Sequence, residues 1–122
     1  MSDAIDIAAF NRAWLEAWTV KSVDRILAFY HPDIAYYDDA APGSVHGHEA
    51  LRALLDQVFA ATPGWVMHPD AVWPIEGGFC GRWYMDLGEG PEAVRLRGFD
   101  HCLLRDGLIV HNEVYTHRIA GA

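Results

Sequence analysis

Basic residues are scarce in this 122-residue chain: 9 Lys and Arg stand against 17 Asp and Glu, a formal charge of −8. That shortage excludes nucleic acid and an anionic membrane as main partners, because either needs a basic patch. Cysteine is scarce too, with Cys80 and Cys102 set far apart in different apolar segments. Two such thiols exclude a disulfide framework or a cysteine-rich zinc site and fit reduced, buried side chains in the cytosol. No apolar run approaches the ~20 residues that span a bilayer. The acidic start, Met1-Ser2-Asp3-Ala4-Ile5-Asp6, lacks the basic-then-apolar pattern of a signal peptide. Internal repeats, low-complexity tracts and interdomain linkers are missing as well. The expectation is one cytoplasmic domain over residues 1–122.

What the chain has is apolar and aromatic surface. Hydrophobic residues make up 52%, and five Trp, five Tyr and five Phe sit among them, which excludes disorder. A chain of this length buries roughly two-thirds of its unfolded surface, enough for one core. So many rings either pack that core or line a pocket.

Helical spacing dominates the first half. Ile5, Ala9, Phe10, Ala13, Trp14, Ala17 and Trp18 recur every three or four residues after the possible cap Asp3. A shorter helix is expected from Ser22 through Phe29 and Tyr30, stopped by Pro32. Asp33 to Asp38 reads as a strand, followed by a loop from Asp39 to Ser44. A third helix runs from about His48 to Ala61, with Leu51, Leu54, Leu55, Val58 and Phe59 on one stripe, and Pro63-Gly64 ends it. Beyond residue 64, four strand-like segments (65–75, 79–87, 92–105 and 108–118) are separated by Gly77-Gly78, Gly88-Glu89-Gly90-Pro91 and Asp106-Gly107. These hairpin signals predict an antiparallel meander, and helices grouped before strands predict an α+β layout.

The segment 94–105 alternates most clearly. Val94, Leu96, Gly98, Cys102 and Leu104 share the apolar face with Asp100, while Arg95, Arg97, Phe99, His101 and Arg105 share the other. A carboxyl on the covered face is costly unless it is hydrogen-bonded or protonated. Asp100 is therefore the most informative single residue. Its ordinary reading is a structural carboxyl satisfied by Trp14, Asn112 or water. Its neighbour across the last hairpin depends on the turn: a bulge at Gly107 brings Asn112 beside it, and a tight two-residue turn brings Glu113. The more apolar face favours Asn112.

Taken together, the helix start Gly47-His48-Glu49-Ala50-Leu51-Arg52, the strand ending in Asp38 and Asp39, and the terminal run Asp100 to Val110 resemble the nuclear transport factor two-like superfamily. The resemblance is to its SnoaL-like and ketosteroid-isomerase-like branch and covers about residues 8–118. It implies a cone-shaped α+β barrel, three N-terminal helices packed on a strongly curved, mainly antiparallel sheet (cystatin-like) around a deep apolar pocket. It also implies a homodimer and no cofactor or metal. Carried over residue by residue, the isomerase general base falls on Asp38 and the protonated partner of the oxyanion on Asp100. The two tyrosine positions hold Trp14 and Leu55, so no phenol is expected beside the carboxyls. The catalytic residues of SnoaL-like cyclases would fall on Asn112 and Val114, and those of epoxide hydrolases on Tyr84, Asp86 and Val114. Neither set is reproduced.

The candidate catalytic residues are therefore Asp38 and Asp100, two carboxyls in unlike environments that can divide the roles of base and acid. For Asp38 the competing reading is a solvated turn acid, which is the favoured one for Asp39. The candidate substrate-binding residues are Trp14, Trp18, Leu55, Phe59, Trp83, Met85 and Asn112. His46-Gly47-His48 has a metal-pair spacing but no matched Cys and only distant acids to complete a shell, and no native metal is expected. His111 and His117 should face outward, and His68 should sit on a rim. Phe99, Leu103, Ile109 and Tyr115 fall on the outer sheet face, where a second copy of the chain is expected to cover them. The function expected is a cofactor-independent isomerase, cyclase or dehydratase acting on a small apolar carbonyl compound. The alternative is a non-catalytic small-molecule-binding or interaction domain of the same fold.

Overall fold

The computed structural model describes residues 6–38, 41–61, 64–88 and 93–119, without the side chains of 41–43. Asp3, Asp39, Pro63 and most of the Gly88–Pro91 turn lie outside the described residues. Helix α1 (Ile7–Val20) starts at Asp6, whose carboxylate accepts from the Ala9 amide. It ends at Lys21, which adopts the left-handed conformation at φ 58°. Its buried stripe carries Trp14, Leu15, Ala17 and Trp18. Helix α2 (Val23–Leu27) is capped by the Ser22 hydroxyl. Helix α3 (Gly47–Ala61) opens on Gly47 at φ 86° and buries Leu51 and Leu55.

Six strands follow: β1 (Tyr30–Asp38), β2 (Ala41–His46), β3 (Val66–Ile75), β4 (Gly78–Leu87), β5 (Val94–Arg105) and β6 (Leu108–Arg118). They form one curved sheet in the order β2-β1-β6-β5-β4-β3, antiparallel throughout except for the β1–β6 pair. The helices pack on its concave side to give an α+β cone, as expected from the sequence. No helix among the described residues is long and apolar enough to cross a membrane.

Three expectations are corrected. Residues 41–44, expected as loop, belong to β2 (Ala41–His46). The second helix stops at Leu27, and Tyr30 opens β1. Pro32 does not end a helix: it lies in the break of register between Tyr30↔Ile109 and Ala35↔His111, before pairing to β2 begins. A missing N–H costs no ladder bond there. The β5–β6 hairpin starts in the two-residue register and then leaves it. Arg105 faces Leu108 and Leu104 faces Ile109, but Leu103 then faces His111, so Val110 is an inserted bulge residue. The bulge turns both Ile109 and Asn112 inward, so Ile109 belongs to the core and not to the outer face.

Candidate functional site

Side chains from both layers surround a cavity of about 210 Å³. Helix α1 supplies Trp14 and Trp18, α3 supplies Leu54, Leu55 and Val58, and β4 supplies Trp83 and Met85. The polar part of the wall comes from Tyr36 and Asp38 on β1, Asp100 on β5, and Asn112 and Thr116 on β6. Of the expected site residues, Phe59 alone stands behind the wall, edge-on to Trp18 at 5.9 Å and to Trp65 at 5.4 Å.

Asp100 is 2% exposed and accepts two hydrogen bonds. Trp83 Nε1 donates to Oδ2 at 2.5 Å, and Asn112 Nδ2 donates to Oδ1 at 3.1 Å. Trp83 reaches this position by lying across Gly98, its partner in the β4–β5 ladder. A Cβ there would come within 2.2 Å of the indole. The bulge places Val114 opposite Asp100 and Asn112 opposite Cys102, one diagonal step away. Asn112 therefore contacts Asp100 as expected, but across the diagonal.

Behind Asn112 the chain of donors continues. Tyr30 Oη donates to Asn112 Oδ1 at 2.9 Å and accepts from Trp14 Nε1 at 3.2 Å. Trp14 thus reaches Asp100 only through three successive hydrogen bonds, by way of Tyr30 and Asn112. Every bond in this series points its hydrogen toward Asp100, so neither Trp83 nor Asn112 accepts a proton from it at these contacts. Burial pushes the Asp100 carboxyl up to about 7; the Trp83 and Asn112 donors pull the other way, and the charge of Asp38 adds to the rise.

Asp38 accepts from Tyr36 Oη at 2.6 Å. Tyr36 is 3% exposed, and its phenol is held well above its ordinary pKa by burial and then by Asp38. Sequence reasoning missed Tyr30 and Tyr36. The expectation that no phenol would stand near the carboxyls is therefore corrected, since β1 delivers two. Tyr36 was visible two residues before Asp38, on the same strand face. Trp18 Nε1 is buried with no hydrogen-bond partner among the described residues.

The remaining candidates lie elsewhere. His68 and Arg95 bind Asp86 on the exposed side of the sheet. His46 bonds Ser44, while His48 bonds the Tyr30 carbonyl, so the two rings do not converge. Cys80 is only partly buried, unlike Cys102.

The relay gives a direct test. Tyr30→Phe leaves the Trp14 indole and the Asn112 carbonyl unpaired in the core, at roughly 1–3 kcal/mol for each unsatisfied group. Urea unfolding should show a loss of about 2–6 kcal/mol, and an unchanged midpoint would contradict the relay.

A family model described as a SnoaL-like domain matches residues 11–112. No curated protein matches the sequence. Among solved structures, a nuclear transport factor two-like protein of unknown function from Burkholderia pseudomallei is 16% identical. It superposes with a TM-score of 0.78 over 93% of this chain and 92% of its own. TerC, co-crystallised with polyporic acid, is 15% identical with a TM-score of 0.77, over 90% of each chain. A hypothetical protein with a ketosteroid isomerase-like fold from Catenulispora acidiphila, in complex with trimethylamine, is 15% identical. Its TM-score is 0.76, over 87% of this chain and 83% of its own. At such identities the likeness is one of fold.

Proposed function

The chain belongs to the SnoaL-like family, and from that premise we propose that it is a cofactor-independent acid/base enzyme of the isomerase, cyclase or dehydratase type. Its substrate is a small apolar ring compound bearing a carbonyl group. The observation that carries this reading is the pairing of Asp38 and Asp100 on the wall of one mainly apolar cavity, each tied to its own hydrogen-bond donors. Asp38, oriented by Tyr36, takes a proton from the carbon next to the carbonyl. Asp100, protonated, donates to the enolate oxygen that develops, because its other hydrogen-bonding directions already face donors. Asp38 then returns the proton.

Size narrows the substrate class. An apolar cavity of about 150 Å³ holds benzene, so about 210 Å³ suits one ring or two compact ones. TerC, co-crystallised with polyporic acid, supports a small-molecule ligand in this fold.

The test is deuterium uptake at the α-carbons of cyclohexanone and 2-tetralone in D₂O, followed by proton NMR. Enzyme-dependent uptake that saturates with ketone is the expected result. Saturable binding without uptake would establish the non-catalytic binding domain instead.

A second copy of the chain covers the outer sheet face in this reading, where Trp73 is 43%, Phe99 38% and Tyr115 58% exposed. Light scattering should give a dimer mass, and Phe99→Glu should shift it toward the monomer; a parent protein that is monomeric at 100 μM would overturn this.

A further inference from the structure

The outer sheet face carries a second cluster that the cavity chemistry does not use. His101 on β5 and Glu113 on β6 are direct cross-strand partners. His111 lies two residues before Glu113, on the same face of β6. One ligand atom from each of the three lies within 4.8 Å of the other two. His111 Nε2 stands 2.6 Å from Glu113 Oε1, and His101 Nδ1 stands 3.8 Å from the same oxygen.

Two further features point to a missing occupant. His101 Nδ1 is buried and has no hydrogen-bond partner among the described residues, whereas buried ring nitrogens are normally satisfied. The Tyr115 hydroxyl donates to Glu113 Oε2 at 2.5 Å, which turns Oε1 toward the two rings. An outer partner that fixes a carboxylate in this way is what metal ligands commonly have.

We propose that His101, His111 and Glu113 bind one divalent cation of the zinc type, leaving one coordination position open to water or an outside donor. Zinc bonds to nitrogen and oxygen of about 2.0–2.2 Å place tetrahedral ligand atoms about 3.3 Å apart. The two measured separations, 2.6 and 3.8 Å, bracket that value. Side-chain rotation alone can close the difference, because paired strands hold the backbone positions. The three side chains keep between 26% and 37% of their surface exposed in the single chain, so the ion enters before the second copy proposed above covers this face. Successive residues of a strand face opposite sides, so the ion would sit across the sheet from Asp100, outside the cavity.

The experiment uses the full chain freed of metal with a chelator and titrated with zinc sulfate by calorimetry. One equivalent should bind with a dissociation constant below about 10 μM. His101→Ala and Glu113→Gln should each weaken binding at least tenfold, with circular dichroism confirming that they fold. His46→Ala should leave it unchanged. Absence of stoichiometric binding to the parent protein would overturn the proposal, as would equal affinity in the parent, His101→Ala and Glu113→Gln. Deuterium uptake by the metal-free protein keeps this outcome separate from that of the cavity reading.

Discussion

An Asp38→Asn protein should take up deuterium into a one- or two-ring ketone about 10²–10⁴-fold more slowly than the parent, the usual contribution of a positioned general base. The substitution is close to isosteric. Tyr36 can still donate to the amide oxygen as it donates to Oδ2 now, so the wall is preserved while the basic atom is lost. Ketone affinity is set mainly by the apolar lining, so it should change little and the loss should fall on the catalytic rate. Asp100→Asn separates the second role. Its amide can still offer a hydrogen to the enolate oxygen, so its rate should fall less than that of Asp38→Asn. Equal uptake by the parent and Asp38→Asn would remove Asp38 from the mechanism.

Much of this site was legible because β5 alternates so cleanly. Once Leu96, Gly98, Cys102 and Leu104 define the covered face, Asp100 must share it, and the buried positions Gly98, Asp100 and Cys102 bear this out. Trp83 and Met85 follow from the same argument on β4. The fold class was legible for a similar reason, since periodicity near 3.6 gives way to periodicity of two after residue 64.

What was not legible depended on long-range packing. The Asp106-Gly107 turn determines pairing next to itself, but the bulge at Val110 lies beyond the turn's reach and leaves no local signature. It moves Asn112 off the direct partner position and sends Ile109 into the core. Tyr30 was hidden for another reason. Pro32 reads locally as a helix stop, and only the interrupted β1–β6 ladder shows that a strand can accept it. With Tyr30 misplaced, the relay from Trp14 to Asn112 could not be seen, and the tyrosine positions of the resembling isomerases drew attention to α1 and α3 when the phenols come from β1.

Stability should fall as the pH rises from about 4 to about 7, and Asp100 should account for the fall. Its carboxyl sits at about 7 in the folded protein and near 3.9 in an unfolded chain. Between those values the folded state holds a proton that the unfolded state has released, so raising the pH favours unfolding. Below about 4 both states are protonated and the stabilisation is fully present. Above about 7 both are ionised and the penalty is constant. The difference corresponds to about 4 kcal/mol, or a melting temperature lower by roughly 15 °C. Asp86 and Glu113 shift the opposite way, toward lower pKa through Arg95 and His68 and through Tyr115 and His111, so their contributions are lost at more acidic pH. The informative quantity is the difference between the parent and Asp100→Asn, both freed of metal. In the variant one amide hydrogen confronts either Trp83 or Asn112, a fixed cost that does not vary with pH. Its stability should therefore lack the decline from about 4 to about 7. Parallel profiles in urea unfolding would mean that Asp100 is ionised throughout, and a carboxylate there could not donate the hydrogen bond that the enolate requires.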